Sequence, residues 1–406
     1  YVNIIDKERH DGMKSMKSMK TKNYKVTEIL HHLGEENFPF GAVSHPIFQT
    51  SIFSFKTFAD FKKAMQDETS HYIYSRGNNP TVNLVEEKIA ELEHGEKAKL
   101  VSSGVAAIAG SMMAFLESGD HVISVRDVYS WTKTLLDRYL KRFNITHTYV
   151  EGTDPEEIER NINENTKIIY LESPTTFSFK IQDLKRMAEI AKKHRIKTII
   201  DNSWATPIFQ NPLDYGIDLV VHSVSKYLGG HSDVVAGAIV GSKEDITHIF
   251  TTEFQNIGTV PDPFMAWLVL RGLRTLHVRM PVHYENTLKV IDFLKNEEKI
   301  TEINYPFFEG SPQYKLAKKQ MRGGSGLFSF KIKTTSEDDI AKFTDSLKFF
   351  KRAVSWGGYE SLVTPYAVTR YGSDDKDNLS LIRVHIGLEE SELLIDDLKQ
   401  ALLQIS

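Results

Sequence analysis

From about residue 84 to residue 242 the chain switches repeatedly between two periods, the 3.6-residue repeat of a helix and short runs rich in Val, Ile and Leu. That order constrains the fold more than any other feature. The runs HVISV (121–125), KIIYLES (167–173), KTIIDN (197–202), DLVVHS (218–223) and AGAIVGS (236–242) are apolar at nearly every position. Strands of a parallel sheet read this way, because helices cover both faces. LVEEKIAELEHG (84–95) repeats apolar residues at helical spacing and closes on Gly95. SSGVAAIAGSMMAFL (102–116) opens on helix-capping serines and is then apolar nearly all round, as a buried helix is. DLKRMAEIAKKHR (183–195) puts Leu184, Met187, Ala188 and Ala191 on one stripe. This is the β-α-β order of an α/β domain.

A chain of 406 residues exceeds the size at which one core usually divides, so two domains are expected. After Pro261 and Pro263 the texture changes: residues 263–296 predict long helices interrupted near Pro281. Further on, GLFSFKI (326–332), AVSW (353–356) and LIRVHIG (381–387) predict strands. DIAKFTDSLKFF (339–350) and SELLIDDLKQALLQI (391–405) predict the helices of a smaller α/β layer. The boundary falls near residue 275. The first 25 residues, lysine-rich with a duplicated SMKSMK, predict a mobile arm.

Composition excludes several function classes. Apolar content of 41% and charged content of 26% describe an ordinary globular chain, and a net charge of -4 gives no basic footprint for nucleic acid. No apolar run nears the roughly 18 residues a membrane helix needs, and no secretory signal pattern is visible. With no cysteine, disulfides and thiolate metal ligands are excluded; the expectation is a cytoplasmic enzyme without a metal site.

The stretch HSVSKYLGGHSD (222–233) follows an apolar strand, which puts Lys226 at the sheet edge where α/β domains bind ligands. Desolvated there, a lysine loses basicity and becomes a nucleophilic amine able to form a Schiff base; the alternative is a stem covering the sheet edge with its charge in water. Ser223 and Ser225 bring hydroxyls suited to an anion. Asp201, ending KTIID, could pair with a protonated ring nitrogen or cap the next segment. Ser102, Ser103 and Gly104 open a helix whose free N–H groups suit a phosphate, or cap it simply. Tyr129, after HVISV, could stack on a flat ligand or pack in its loop. Arg383, inside LIRVHIG, needs a partner, either a substrate carboxylate or an internal salt bridge. Together these groups suit a ligand with a phosphate, a ring nitrogen, a flat face and an aldehyde. Pyridoxal 5'-phosphate (PLP) has all four.

From about His45 to the C-terminus the chain resembles the Cys/Met-metabolism family of PLP enzymes, the trans-sulfuration enzymes. The resemblance rests on HPIFQTSIF, YSRGNNPT, SSGVAAI, DVYS, IYLESPTT, IDNSWATP, HSVSKYLGGHSD, RGLRTL, SWGGYESL and LIRVHIGLEE. It implies the type I PLP-dependent transferase fold: a mainly parallel seven-stranded sheet in a large domain over residues 66–275, and a smaller C-terminal α/β domain over 276–406. Residues 1–65 would form an arm that contributes to the neighbouring subunit of a homotetramer made of two dimers with shared active sites. It further implies that Lys226 carries the cofactor and moves protons, that Asp201 faces the ring nitrogen, and that Tyr129 stacks on the ring and contacts substrate. The phosphate would be held by Ser103, Gly104 and Val105, by Ser223 and Ser225, and by Tyr74 and Arg76 from the neighbour. Arg383 and Ser355 would take the substrate carboxylate.

Four departures from the usual family wording stand out. Ser225 replaces a threonine and keeps its hydroxyl; Val105 replaces a methionine where the backbone N–H binds. Thr176 stands where an asparagine is frequent, and no role is carried onto it. Ser130-Trp131 replaces a glycine pair, which reshapes the pocket beside Tyr129. SWGGYESL, RGLRTL, GLFSF and LIRVHIGLEE look most like cystathionine β-lyases; Val354 lies where γ-acting relatives often carry glutamate, and methionine γ-lyases resemble the chain less. Against that, Gly77 lacks a second arginine found in some β-lyases. The expected reaction is β-elimination on L-cystathionine or a related cysteine S-conjugate, with the γ-acting relatives as alternative and a non-catalytic binding module as a remote one.

Overall fold

The computed structural model describes residues 25–369 and 377–405. The expected mobile arm lies outside them, except for its last residue, Lys25. Seven strands form one sheet: β1 (Lys97–Val101), β2 (His121–Val125), β3 (Thr146–Val150), β4 (Thr166–Glu172), β5 (Lys197–Asp201), β6 (Leu219–Ser223) and β7 (Gly237–Gly241). Their spatial order is β1-β7-β6-β5-β4-β2-β3, with β7 antiparallel to both neighbours and every other pair parallel. The all-apolar strands are as buried as their composition requires: Ile168, Ile169, Leu171, Ile199, Ile200, Leu219 and Val220 have no exposed surface. Each such side chain contributes about 1.5–3 kcal/mol through burial.

Helices α1 (Pro80–Leu92), α2 (Gly104–Met113) and α3 (Leu184–His194) connect and cover these strands. Asn79, Ser103 and Asp183 cap them, each side-chain oxygen accepting a backbone N–H of the first turn. Gly95 closes α1 by donating its N–H to the Ala90 carbonyl at 2.8 Å.

The helices α4 (Pro263–Leu273) and α5 (Leu276–Leu294) follow. Here the structure corrects the expected interruption: the break falls at Arg274-Thr275, and Pro281 lies within α5. At the sixth position Pro281 forfeits one hydrogen bond to the carbonyl of residue 277, which a 19-residue helix absorbs.

A second sheet, ordered β10-β11-β12-β9-β8, holds β8 (Ile300–Asn304), β9 (Leu327–Ile332), β10 (Lys351–Arg352), β11 (Leu362–Pro365) and β12 (Leu381–His385). Glu337–Ser346 packs on it at β11, and α6 (Ser391–Leu402) packs on α5 and on Glu337–Ser346, near the predicted helices. AVSW is not a strand; pairing stops at Arg352, and Ser355 has a positive φ of 80° that breaks the extended course. Among the described residues no helix is long and apolar enough to cross a membrane.

In register, Glu172 sits opposite Asp201, and Asp201 opposite Val221. The ends of β4, β5 and β6 therefore bring two carboxylates and the turn to Lys226 to one edge.

Candidate active site

Lys226 lies three residues beyond β6, in a turn whose backbone is held from several sides. Its N–H donates to the Ser223 carbonyl at 3.1 Å, and its own carbonyl accepts the Gly230 N–H at 2.7 Å. The buried Arg279 of α5 donates to the Tyr227 carbonyl at 2.9 Å and the Gly272 carbonyl at 2.8 Å. Gly230 has φ 71°, and a Cβ there would lie 2.1 Å from Arg279 Nη1. Gly230 is what lets this guanidinium close on the lysine turn.

The side chain is engaged within the site rather than loose in solvent. Nζ donates to Ser355 Oγ and lies 5.3 Å from the centre of the Trp356 ring. Burial pulls its pKa down to about 8, with the Arg383 charge acting in the same direction and Asp201 opposing. A depressed pKa means the neutral amine predominates above about pH 8, where an ordinary lysine stays charged to about 10.4. We expect the rate at which apoprotein captures PLP on Lys226 to rise with pH and level off near 8; stopped-flow absorbance checks this, and a rate still climbing at pH 10 would contradict it.

Asp201 performs the capping role proposed for it. One oxygen accepts the Ser203 N–H at 2.9 Å, the capping role, while the carboxyl stays buried at the strand edge. Burial raises its pKa, against the Ser203 hydrogen bonds and the His222 and Lys226 charges. Beside it, Glu172 is pushed well above the ordinary range by burial and then by Asp201. Its Oε2 accepts the Tyr129 N–H at 2.8 Å, which fixes the turn carrying that ring. The sequence reading gave Glu172 no role, although it closes an apolar strand as Asp201 does. Tyr129 itself is 42% exposed, so its face is free to cover a ligand.

Part of the expected anion cradle is assembled at the start of α2. Ser103 caps α2 by accepting the Ala106 N–H at 3.0 Å, and among the described residues the N–H groups of Gly104 and Val105 have no acceptor. A Cβ on Gly104 would come within 2.9 Å of Ser223 Cβ, so the bare glycine seats the helix start against the end of β6. Ser225 faces elsewhere: its hydroxyl exchanges hydrogen bonds with the Ala236 backbone, donating at 3.2 Å and accepting at 3.0 Å.

Arg383 enters from β12. Its reading as an internal salt bridge is not what the fold provides: among the described residues no carboxylate lies within 4.0 Å, and the buried Nε has no acceptor. Its guanidinium rests 4.8 Å from the Phe177 ring centre, and Nη1 lies 3.5 Å from Thr176 Oγ1. Burial lowers its pKa to about 10, with Glu172 and Tyr129 opposing. Thr176 therefore sits in the site although the sequence reading left it without a role. Trp131 and Val354 are exposed beside Tyr129 and Ser355.

Tyr74 and Arg76 do not join this cluster within the chain. Both are exposed, with Arg76 lying 5.5 Å over the Tyr74 ring and donating from Nε to Gln255 at 2.9 Å.

These residues fit PLP. Lys226 offers a weakly basic amine, and Asp201 a buried carboxyl whose ionised form a ring N–H would stabilise. The α2 start and Ser223 suit a phosphate, and the orphaned Arg383 Nε suits a carboxylate.

Comparison with known proteins points the same way. A profile described as Cys/Met metabolism PLP-dependent enzyme matches residues 26–403. L-methionine gamma-lyase of Treponema denticola is 38% identical, covering 91% of this chain and 95% of that protein. Cystathionine gamma-lyase of Bacillus subtilis is 40% identical over 89% and 94%, and cystathionine beta-lyase of Lactococcus lactis subsp. cremoris 36% over 93% and 98%. These identities do not set methionine γ-lyases apart as less similar. A solved putative O-acetylhomoserine (thiol)-lyase from Campylobacter jejuni, containing N'-pyridoxyl-lysine-5'-monophosphate, superposes with a TM-score of 0.87 at 30% identity, covering 94% of this chain and 100% of that one.

Proposed function

The chain belongs to the Cys/Met-metabolism family of PLP-dependent enzymes, and from that premise we propose a carbon–sulfur lyase working by α,β-elimination. Its substrate is L-cystathionine or a related cysteine S-conjugate, and its products are pyruvate, ammonia and a thiol. When bound, PLP supplies an electron sink for the charge that develops at the substrate Cα. Lys226 removes the Cα proton and returns one to the departing sulfur, so one amine serves as base and then acid. Ser355 aims that amine. Asp201 would hold its charge toward the ring nitrogen, Tyr129 would cover the ring, and Arg383 would grip the α-carboxylate.

The observation that carries elimination at Cβ is the surroundings of the Lys226–Ser355 pair. Val354 and Trp356 flank Ser355, and neither side chain titrates. Elimination at Cγ needs a further proton taken from Cβ, and neither residue flanking Ser355 can take it. The names of the relatives at 38% and 40% identity favour that γ reading. Relative turnover of S-methyl-L-cysteine and L-methionine separates the two: we expect the cysteine conjugate to be consumed and methionine to be inert, and the reverse preference would overturn the assignment.

A non-catalytic module is disfavoured by the joint presence of Lys226, Asp201, Tyr129 and Arg383. We place residues 1–65 as an arm reaching a neighbouring subunit, 66–275 as the large domain and 276–406 as the small one, in a cytoplasmic homotetramer. Exposed Phe40, Val43, Ile52 and Phe58 support a covered arm.

A further inference from the structure

Lys99 on β1 is a charge buried where the chemistry does not use it. It is 2% exposed. Nζ donates to the Gly77 carbonyl at 2.9 Å, to Asn78 Oδ1 at 3.3 Å and to Glu86 Oε2 at 3.4 Å, so each of its three protons has an acceptor, and Glu86 Oε1 lies 3.1 Å away as its ion pair. The rings of Phe250 and Phe254 enclose it, their centres 5.0 and 4.8 Å away. Glu86 is equally committed, accepting the Leu100 N–H at 2.9 Å and Asn83 Nδ2 at 3.1 Å. A buried pair of this kind adds little net stability over apolar residues of the same size, so its use lies in what it specifies.

What it specifies is the loop ending at Asn78. Gly77 and Asn78 directly follow Arg76, and both present oxygens to Lys99. Asn78 also donates to the Glu68 carbonyl at 2.7 Å, and Arg76 Nε is held by Gln255, in the segment that supplies both phenylalanine rings. Gly77 is enclosed: a Cβ there would lie 2.6 Å from Glu68 Oε1 and 3.0 Å from Gln255 Nε2. The base of the loop is locked while Tyr74 and Arg76 remain exposed at its tip.

We propose that Lys99 is a positioning residue that sets the Gly77-Asn78 peptide so that Tyr74 and Arg76 meet the cofactor phosphate bound by a second copy of the chain. This rests on the shared-site reading above. The test is the PLP dissociation constant of the apoprotein, read by absorbance on titration, with apoprotein melting as the control for folding. The variants are Arg76→Ala, Asn78→Ala and the pair Lys99→Met with Glu86→Gln, the last two each also combined with Arg76→Ala.

We expect Arg76→Ala and each anchor variant alone to weaken binding roughly tenfold, and no further loss when an anchor variant is combined with Arg76→Ala, because both remove one charge-assisted contact. Wild-type affinity in a folded anchor variant, or losses that add, would overturn the role of Lys99 while leaving the shared site standing. Wild-type affinity in Arg76→Ala would overturn the shared site and this proposal together. Should the Lys99/Glu86 pair not fold, Asn78→Ala decides alone, since it leaves the ion pair intact.

Discussion

Lys226→Ala is expected to lower kcat by about 10⁴-fold, the upper end of what a positioned acid-base group contributes. The amine next to Ser355 is the group assigned to moving protons at the substrate carbons. The variant should nonetheless bind PLP noncovalently, because the α2 start, Ser223 and Asp201 are untouched. Activity and cofactor content after dialysis check both halves. Turnover within a factor of ten of wild type would mean that another group takes the proton.

Arg383→Ala is the second large effect. The guanidinium is buried and lacks a carboxylate partner among the described residues, so a substrate carboxylate completes it. Removing one member of a buried, hydrogen-bonded charge pair costs about 2–5 kcal/mol, which lowers kcat/KM roughly 30- to several-thousand-fold. The loss should fall on substrate affinity, with PLP content unchanged. Arg383→Lys should rescue little of it, since an ammonium cannot grip both oxygens in one plane. Equal losses for a substrate amide and the free acid would show that Arg383 does not read the carboxylate.

Legibility in the sequence followed burial. Strands β2, β4, β5, β6 and β7 are covered on both faces, so composition alone reveals them. The sheet-edge strands β1 and β3 escaped notice: KAKLV carries two lysines, one of them the buried Lys99, and THTYV is polar and only partly covered. Pro281 does not end its helix, because a 19-residue helix absorbs the single hydrogen bond it removes. Lys226, Asp201, Tyr129 and Arg383 were legible because each breaks or ends an apolar run. Glu172 had the same signature and was passed over, and Thr176 reveals itself only through its contact with Arg383. Tyr74 and Arg76 came from resemblance alone, and what holds their loop, Lys99, lies twenty-odd residues away.

The central claim is elimination at Cβ by a PLP enzyme, and identifying the keto acid formed from L-cystathionine by mass tests it most directly, with Lys226→Ala as control. Elimination at Cβ yields pyruvate together with homocysteine, and none from the variant. 2-Oxobutyrate together with cysteine would contradict it and move the bond broken to Cγ.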